Sequence, residues 1–518
     1  MSVDKYILFA SSARWFSRGM TILLGLLLLP VLFRNMPKEE LGMWLLIAQT
    51  ASLMGILDFG FQETLTRRIA FAKAQSGSDP TAPLNDKSRA DVADLVSTGI
   101  RIYRVIAGLT IVIAFGFGSL YLIRHSTEAV PSHTLCIAWG VICVSQAITF
   151  MTAPWISLLL GVGYVGWESI LASLVNVLTL TGQIVVALLG GGLVGLAVVT
   201  ATGAFTQRVV LFGFARRKRP DLFQVKGRWK SESFRSMIPF ASRAWVMGIG
   251  CSMILYTDQF VIVSLMGAQD LPAYRAAWVL VHHLTNVAVT LGGASAVFVS
   301  HLWKEGDLAG VHRILDRNVR FGWITMLTGA GVLIFAGEPL FTLWLGPGNF
   351  VGYTILLAFI TTQLLEVQSQ NISYTSRATE DEAFAWSTLI AGAVKLGLSI
   401  ELGRRFGLVG IAVGTMIALA CTNHVYIPYR GLSRLRFSRR EYVTRSLLPC
   451  FGYLGFLAAV LYGVKLLTED YSALVKVLAT MTLATMAFLS GLWIMILDKS
   501  QRQQFLDRVK RQRFWSVA

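Results

Sequence analysis

The longest apolar runs decide what this chain can fold into. "MTILLGLLLLPVLF" (20–33), "IVVALLGGGLVGLAVV" (184–199) and "LVKVLATMTLATMAFLSGLWIMIL" (474–497) have hydrocarbon as their natural solvent. Backbone amides and carbonyls find no partners in lipid, so each run has to satisfy its own hydrogen bonds as a helix. Composition agrees: of 518 residues, 54% are hydrophobic and only 14% are charged, with a mean hydropathy of +0.59. A soluble domain carries about 25% charged residues. The chain reads as an all-α polytopic membrane protein.

Counting runs of roughly 20 residues predicts about fourteen transmembrane helices. They lie near 10–33, 41–65, 100–123, 135–158, 166–189, 193–215, 237–265, 273–301, 321–344, 351–376, 384–402, 408–427, 447–466 and 473–497. No small-residue cleavage site follows the first run, which reads as an uncleaved helix and not as a secretion signal.

The net charge of +17 is unevenly spread. Segments after even-numbered helices hold "RRIAFAKAQ" (67–75), "RRKRPDLFQVKGRWK" (216–230), "RGLSRLRFSRR" (430–440) and the tail "QRQQFLDRVKRQR" (501–513). Those after odd-numbered helices, such as "MGAQDLP" (266–272) and "LTEDY" (467–471), are short and poor in Lys and Arg, with Arg404 and Arg405 as an exception. The positive-inside rule then places both termini in the cytoplasm, across a bacterial inner membrane. Basic runs in a soluble protein suggest nucleic acid; here they read as a topology signal that also attracts anionic headgroups, with no nucleic-acid partner. Phe505, Val509, Phe514 and Trp515 make the tail an amphipathic basic segment for the inner membrane surface.

Cys136, Cys143, Cys251, Cys421 and Cys450 all fall within or beside apolar runs, with no CxxC pair or Cys/His cluster. Neither a disulfide framework nor a metal site is indicated, no cofactor is expected, and buried inert thiols are the default.

One phrase is written twice. "GLVGLAVVT" (192–200) and "GLVGIAVGT" (407–415) agree at seven of nine positions. A second set recurs at one constant spacing: Ser12, Trp15, Val31, Met36 and Leu41 return as Ser242, Trp245, Val261, Met266 and Leu271. The two offsets differ slightly, and the polar stretch 72–94, read as a linker, houses the difference. A duplicated six-helix unit follows: an N-terminal lobe at 1–220, a C-terminal lobe at 236–430, an added helix pair at 446–497 and a basic tail at 498–518. An even helix count per copy makes the lobes parallel, related by a pseudo-twofold axis along the membrane normal. Gly192, Gly195, Gly407 and Gly410 read as points of close helix approach after turns.

The residues also resemble a family. "FSRGMTILLGLLLLPVLF" (16–33), continuing through "EELGMWLLIAQTASLMGILDFGFQETLTRRIA" (39–70), is similar to the opening helix pair of the polysaccharide-transporter (Wzx-type) branch of the MOP flippase superfamily. "TDQFVIVSLMGAQDLPAY" (257–274) resembles the segment opening that branch's second lobe. The resemblance spans residues 1 to about 430, by pattern more than identity. It implies a flippase moving lipid-linked, polyprenyl-pyrophosphate saccharide from the cytoplasmic to the periplasmic leaflet by alternating access. It also implies membrane lipids and other polysaccharide-assembly proteins as partners.

Ionisable residues inside helices are the functional candidates for such a substrate, because a charge at the bilayer centre costs about 2.5–3.5 kcal/mol on insertion scales. Arg14 and Arg18 share one face of helix 1, and Arg243 in helix 7 pairs, at the offset that relates Ser12 to Ser242, with Ala13 beside Arg14. Guanidinium forks suit pyrophosphate. The competing reading is snorkelling to headgroups, preferred for Arg14. Asp258, fifteen residues after Arg243, lies about 60° around the helix and about 22 Å along it. Gln363, Glu366, Gln370 and Tyr374 form one polar stripe lining a wet cavity or a neighbouring helix, with Lys395 as a partner for Glu366. Asp58 is a coupling or cavity-lining candidate, though it and Glu63, near the cytoplasmic end of helix 2, also read as partners of Arg67 or Arg68; His282 and His283 are groups able to titrate near neutral pH or hydrogen-bonded packing residues. "TEDE" (379–382) reads as a helix N-cap in preference to a metal site.

No GxxxxGK[ST] loop occurs, so ATP hydrolysis by that route is excluded and an H+ or Na+ gradient, or product removal, is left as the driving force. Two other classes compete. A multidrug or cation antiporter would favour an acidic, aromatic-lined cleft. A polymerase or ligase would need a sizeable external loop and a catalytic constellation such as HExxH or GxSxG, which the sequence lacks. The chain is not expected to be an enzyme.

Overall fold

The computed structural model describes residues 3–76, 84–224, 227–379, 381, 383–497, 500, 502 and 503, with backbone alone at 3–18, 224 and 297. No strand occurs among them. The tail segment and the side chains of Arg14 and Arg18 fall outside the described residues. Two compact units divide at Pro272 and Ala273.

In the first unit the helices are α1 (Val3–Asn35), α2 (Lys38–Leu53), α3 (Phe61–Ala74), α4 (Asp86–Thr110), α5 (Gly116–Arg124), α6 (Ser132–Val162), α7 (Val165–Leu188), α8 (Gly192–Lys218), the short α9 (Asp221–Gln224) and α10 (Ser231–Leu265). The second holds α11 (Leu271–Ala288), α12 (Thr290–Glu305), α13 (Leu308–Leu345), α14 (Tyr353–Arg377), α15 (Ala385–Cys421), α16 (Asn423–Arg434), α17 (Arg439–Tyr442), α18 (Leu448–Leu467) and α19 (Ala473–Met495). In the first, α6 packs against α3, α4 and α8, and α10 lies on α2 and α3. In the second, α13 takes α14, α18 and α19 around it. Leu474, Leu478, Met486 and Leu489 leave one apolar face of α19 exposed, as acyl chains require.

Ten described helical stretches are long and apolar enough to cross a membrane, eleven if Ala268–Ala296 and Phe298–Glu305, bent by 44° to one another, are one crossing. One of the ten, Ala385–Arg434, is 50 residues long. It cannot be a single rod. Gly407 is left-handed (φ 61°), and a Cβ on Gly410 would lie 1.9 Å from the Leu402 carbonyl oxygen. Residues eight apart in a straight helix are about 12 Å apart along it, so the chain turns back at Gly407 as a tight hairpin. Gly192 opens the first copy of the phrase with the same left-handed backbone (φ 57°), and the Glu40 carboxylate accepts from the Leu193 amide at 2.8 Å. An acid there suits the positive end of α8.

Several expected boundaries shift. Helices two and eight, read as continuous, are each broken: between Asp58 and Phe61, and at Val289. Phe59 and Val289 are related by the same offset as Ser12 and Ser242, so the two breaks occupy equivalent places in the sequence repeat. The linker read at 72–94 is shorter, because Asn85 caps a helix that starts at Asp86 by accepting from the Ser88 amide at 2.7 Å. Of "TEDE", Glu380 and Glu382 lie outside the described residues; α15 is preceded by Phe384, and Asp381 accepts from Ser376 and Arg430. Cys421 is exposed, although Cys143 and Cys450 are buried.

Each unit also ends its paired-helix region with an arginine clasp. Arg219, after α8, hydrogen-bonds the Tyr164 side chain before α7. Arg434, ending α16, donates to the Thr379 hydroxyl and carbonyl at 3.1 and 2.7 Å. Tyr164 and Arg219 correspond to Thr379 and Arg434 at the offset that separates the two copies of the glycine phrase. Arg219 also forks onto Asp221 at 2.9 and 3.0 Å, and these hydrogen bonds hold the Asp221 carboxyl below its ordinary range. A depressed carboxyl stabilises the fold above the unfolded value of about 3.9 and stops doing so as pH falls through its folded value. Asp221→Asn is therefore expected to cost about 1.5–3 kcal/mol at neutral pH. Thermal unfolding curves of variant and parent should converge on acidification; a pH-independent gap would assign the loss to packing.

Candidate functional site

The break in helix two builds the first unit's principal polar site. Met54–Asp58 tightens into a 3-10 turn, and Phe59 and Gly60 then adopt left-handed backbone (φ 52° and 73°). Glycine is needed at the second position for space as well as for φ, since a Cβ there would lie 2.6 Å from the Ala241 carbonyl oxygen. The groups freed by the break are taken up locally. Trp245 Nε1 donates to the Ile56 carbonyl at 2.9 Å, and the Gln62 amide donates to Asp58 Oδ2 at 3.2 Å. The Tyr103 hydroxyl donates to Asp58 Oδ1 at 2.5 Å. Asp58 thereby caps α3 from within the bundle, an acid at a positive helix end.

A cavity of about 640 Å³ opens beside this cap, walled by α3, α6 and α8. Its charged lining is Asp58, Glu63, Arg67 and Arg208, and Gln62, Gln146 and Thr149 add amides and a hydroxyl. The volume falls in the range of small-ligand sites, about 300–1,000 Å³. Arg208 is half-buried, its Nε–H is buried without an acceptor, and it lies within electrostatic reach of Glu168 on α7. Arg67 is exposed and stacks over Phe240 at 5.1 Å. Arg68 donates to the Ser236 carbonyl at 3.1 Å. Across the break, Phe59, Phe61, Ile102, Trp229 and Phe234 line an apolar cavity of about 460 Å³. A polar chamber and an apolar one thus share the 58–61 segment as their partition.

In the second unit the α14 stripe is divided among neighbours. Gln363 is buried and accepts from the Thr285 hydroxyl at 2.8 Å. Glu366 accepts from Gln370 at 2.8 Å and lies 3.8 Å from His424, whose Nδ1 meets the Ser369 hydroxyl at 3.1 Å. Lys395 is fully buried within α15. His282 stacks on Trp278 at 4.5 Å. Asp258 is buried in α10, while Arg243, on the same helix, is exposed.

Of the expected site residues, the structure sets Asp58 on the wall of one cavity, with Glu63 beside it, and places Glu366 against Gln370. Arg208, Gln146 and His424 were not singled out in the sequence. An arginine within the apolar run 193–215 is nevertheless the signal that intramembrane charge provides.

No family model matches the sequence. A curated relative, the uncharacterized membrane protein EpsK of Bacillus subtilis, is 22% identical over 315 residues, 60% of this chain. The match spans 61% of that relative's length. Among solved structures, the lipid II flippase MurJ in an inward closed conformation superposes with a TM-score of 0.67 at 14% identity, covering 95% of this chain and all of that one. An inward-facing multidrug resistance MATE family transporter of the MOP superfamily gives 0.61 at 13% identity over 81% of this chain and 96% of its own. A MOP superfamily transporter from Pyrococcus furiosus gives 0.56 at 13% identity, over 84% and 97% respectively. The fold is that of the MOP-superfamily transporters.

Proposed function

We propose that the chain is a MOP-type flippase that moves a lipid-linked saccharide from the cytoplasmic to the periplasmic leaflet for surface or exopolysaccharide assembly. It would span the inner membrane fourteen times with both termini in the cytoplasm. The observation that carries the reading is the pair of chambers at the helix-two break. An amphiphile with a hydroxyl-rich, anionic head needs amide, hydroxyl and guanidinium groups beside apolar wall, and Gln62, Gln146, Thr149, Arg67 and Arg208 supply them within reach of Phe59 and Phe61. The internal repeats of helix break, glycine turn and arginine clasp support two related six-helix lobes, the plan of alternating access. Arg14, Arg18 and Arg243 remain the proposed contacts for pyrophosphate. Asp258, Glu366 and Lys395 remain the proposed coupling groups for an H+ or Na+ gradient. An antiporter for cationic drugs is the competing reading, since Asp58 and Glu63 line the chamber beside the two arginines.

Deletion followed by lipid analysis tests the reading. The expected result is accumulation of a polyprenyl-linked saccharide on the cytoplasmic leaflet. An unchanged lipid pool with a changed drug tolerance would transfer the chain to the antiporter class.

A further inference from the structure

The apolar chamber beside the helix-two break has a charged mouth on α4. Arg101, Val105 and Leu109 line it, and Val105 and Leu109 are 64% and 40% exposed. An exposed apolar face on a membrane-spanning helix meets hydrocarbon, so the chamber opens sideways to lipid. Arg101 stands where α4 passes from the polar "DKSRADVAD" (86–94) into its apolar run, near the depth of lipid phosphates. It is exposed, and among the described residues it makes no hydrogen bond or ion pair.

The opposite wall is fastened in place. The chain from 227 to 230 lies so close on α4 that a Cβ on Gly227 would stand 1.9 Å from the Ala93 carbonyl oxygen. The Arg228 amide donates to Asp94 Oδ1 at 2.7 Å, the Lys230 amide donates to Thr98 Oγ1 at 3.3 Å, and the Lys230 ammonium meets Asp94 Oδ2 at 2.7 Å. These contacts hold Trp229 between them, its ring under Arg101 at 5.9 Å and beside Phe234 at 5.6 Å. Phe234 stacks in turn on Phe61 at 5.9 Å. A guanidinium over an aromatic ring still has N–H donors to give a further partner. The mouth therefore sets a positioned cation at the edge of an aromatic-walled apolar cavity of about 460 Å³.

We propose that this mouth is a docking port for the carrier lipid: Arg101 takes the phosphate of a polyprenyl phosphate ester in the cytoplasmic leaflet, and the chain lies in the apolar chamber between α4 and α10. The inference rests on the flippase reading above and adds a phosphate contact to it. A phosphate matches the guanidinium fork bidentately, and the cation and the apolar walls match the two ends of one amphiphile. The occupant is the carrier and not a bilayer phospholipid, because the 58–61 segment joins this chamber to the polar one. Phe59 and Phe61 line the side for the chain, while Asp58 and Gln62 line the side for a hydroxyl-rich head. Arg104, exposed and three residues further along α4, lines neither chamber. Snorkelling would treat the two arginines alike; a port does not.

The test is binding of polyprenyl phosphate, polyprenol and phosphatidylglycerol to the detergent-purified full chain by native mass spectrometry, with Tm as the measure of folding. Arg101→Ala is expected to weaken polyprenyl phosphate binding about tenfold, as loss of one charge-assisted contact does, and to leave polyprenol unchanged. Arg104→Ala should change neither. Leu109→Trp, which fills the chamber from a half-exposed position, should weaken polyprenyl phosphate and polyprenol alike. Equal losses in Arg101→Ala and Arg104→Ala would overturn the port in favour of general attraction to anionic lipid. Unaltered binding in Leu109→Trp would overturn it too, by taking the chain out of the chamber. Phosphatidylglycerol bound as tightly as polyprenyl phosphate, and lost in the same variants, would give the site to a bilayer phospholipid. These outcomes spare the flippase reading, which fails together with the port if the parent protein binds no polyprenyl phosphate.

Discussion

Replacing Arg208 with alanine is expected to lower export of the proposed saccharide substrate about a hundredfold, the factor set by ~2.7 kcal/mol of lost charge-assisted hydrogen bonding. The amount of protein in the membrane should hold steady. The expectation rests on an unspent donor: Arg208 borders the polar chamber, and its buried Nε–H has no acceptor in the ligand-free protein. A head-group oxygen would complete it. Arg208→Lys should recover only part of the loss, because an ammonium keeps the charge and loses the fork. The competing role is charge balance for Glu168. Under that role Glu168→Gln would rescue Arg208→Ala, since removing both charges leaves none unpaired. Full export by Arg208→Ala, or full rescue by Glu168→Gln, would remove Arg208 from the substrate path. Export and membrane levels can be read together by surface-polysaccharide assay and immunoblot.

What the sequence makes legible follows from which physical constraint is local. Hydrocarbon allows no unpaired backbone, so apolar length alone announces helices, and the all-helical fold is readable from runs such as 474–497. The twice-written phrase is legible too, because Gly407 and Gly410 answer a short-range demand for a left-handed turn and a close approach to Leu402. Helix ends are less so. Helices α4 and α13 run well beyond their apolar cores into polar sequence, and hydropathy has no voice there. The breaks at Asp58–Phe61 and Val289 are hidden for another reason. "LDFG" becomes a break only because Tyr103, Trp245 and Ala241, distant in sequence, meet it. The cavity is hidden likewise. Arg208 and Gln146 are ordinary intramembrane polar residues until α3, α6 and α8 bring them around Asp58.

The break itself carries the other large prediction. Gly60→Val places a β-branched side chain at φ 73° and drives its Cβ to within 2.6 Å of the Ala241 carbonyl oxygen. Left-handed strain costs about 1–3 kcal/mol alone, and the clash with backbone adds to it, so a loss of about 3 kcal/mol or more is expected. Folded protein in the membrane and its Tm should both fall. Gly213→Ala is the control of opposite sign, because nothing lies within 4 Å of a Cβ there and the residue is inside α8. A helix-interior alanine should stabilise by about 1 kcal/mol. Asp58→Ala separates fold from site: it keeps Gly60 and the Trp245–Ile56 bond while depriving Tyr103 and the Gln62 amide of their acceptor. Export should fall more steeply in Asp58→Ala than its modest loss of Tm explains, since α3 then loses the cap that holds it against the chamber. Wild-type Tm and export in Gly60→Val would mean that the helix-two break is a tolerated irregularity. The partition between polar and apolar chambers would then have no part in moving substrate.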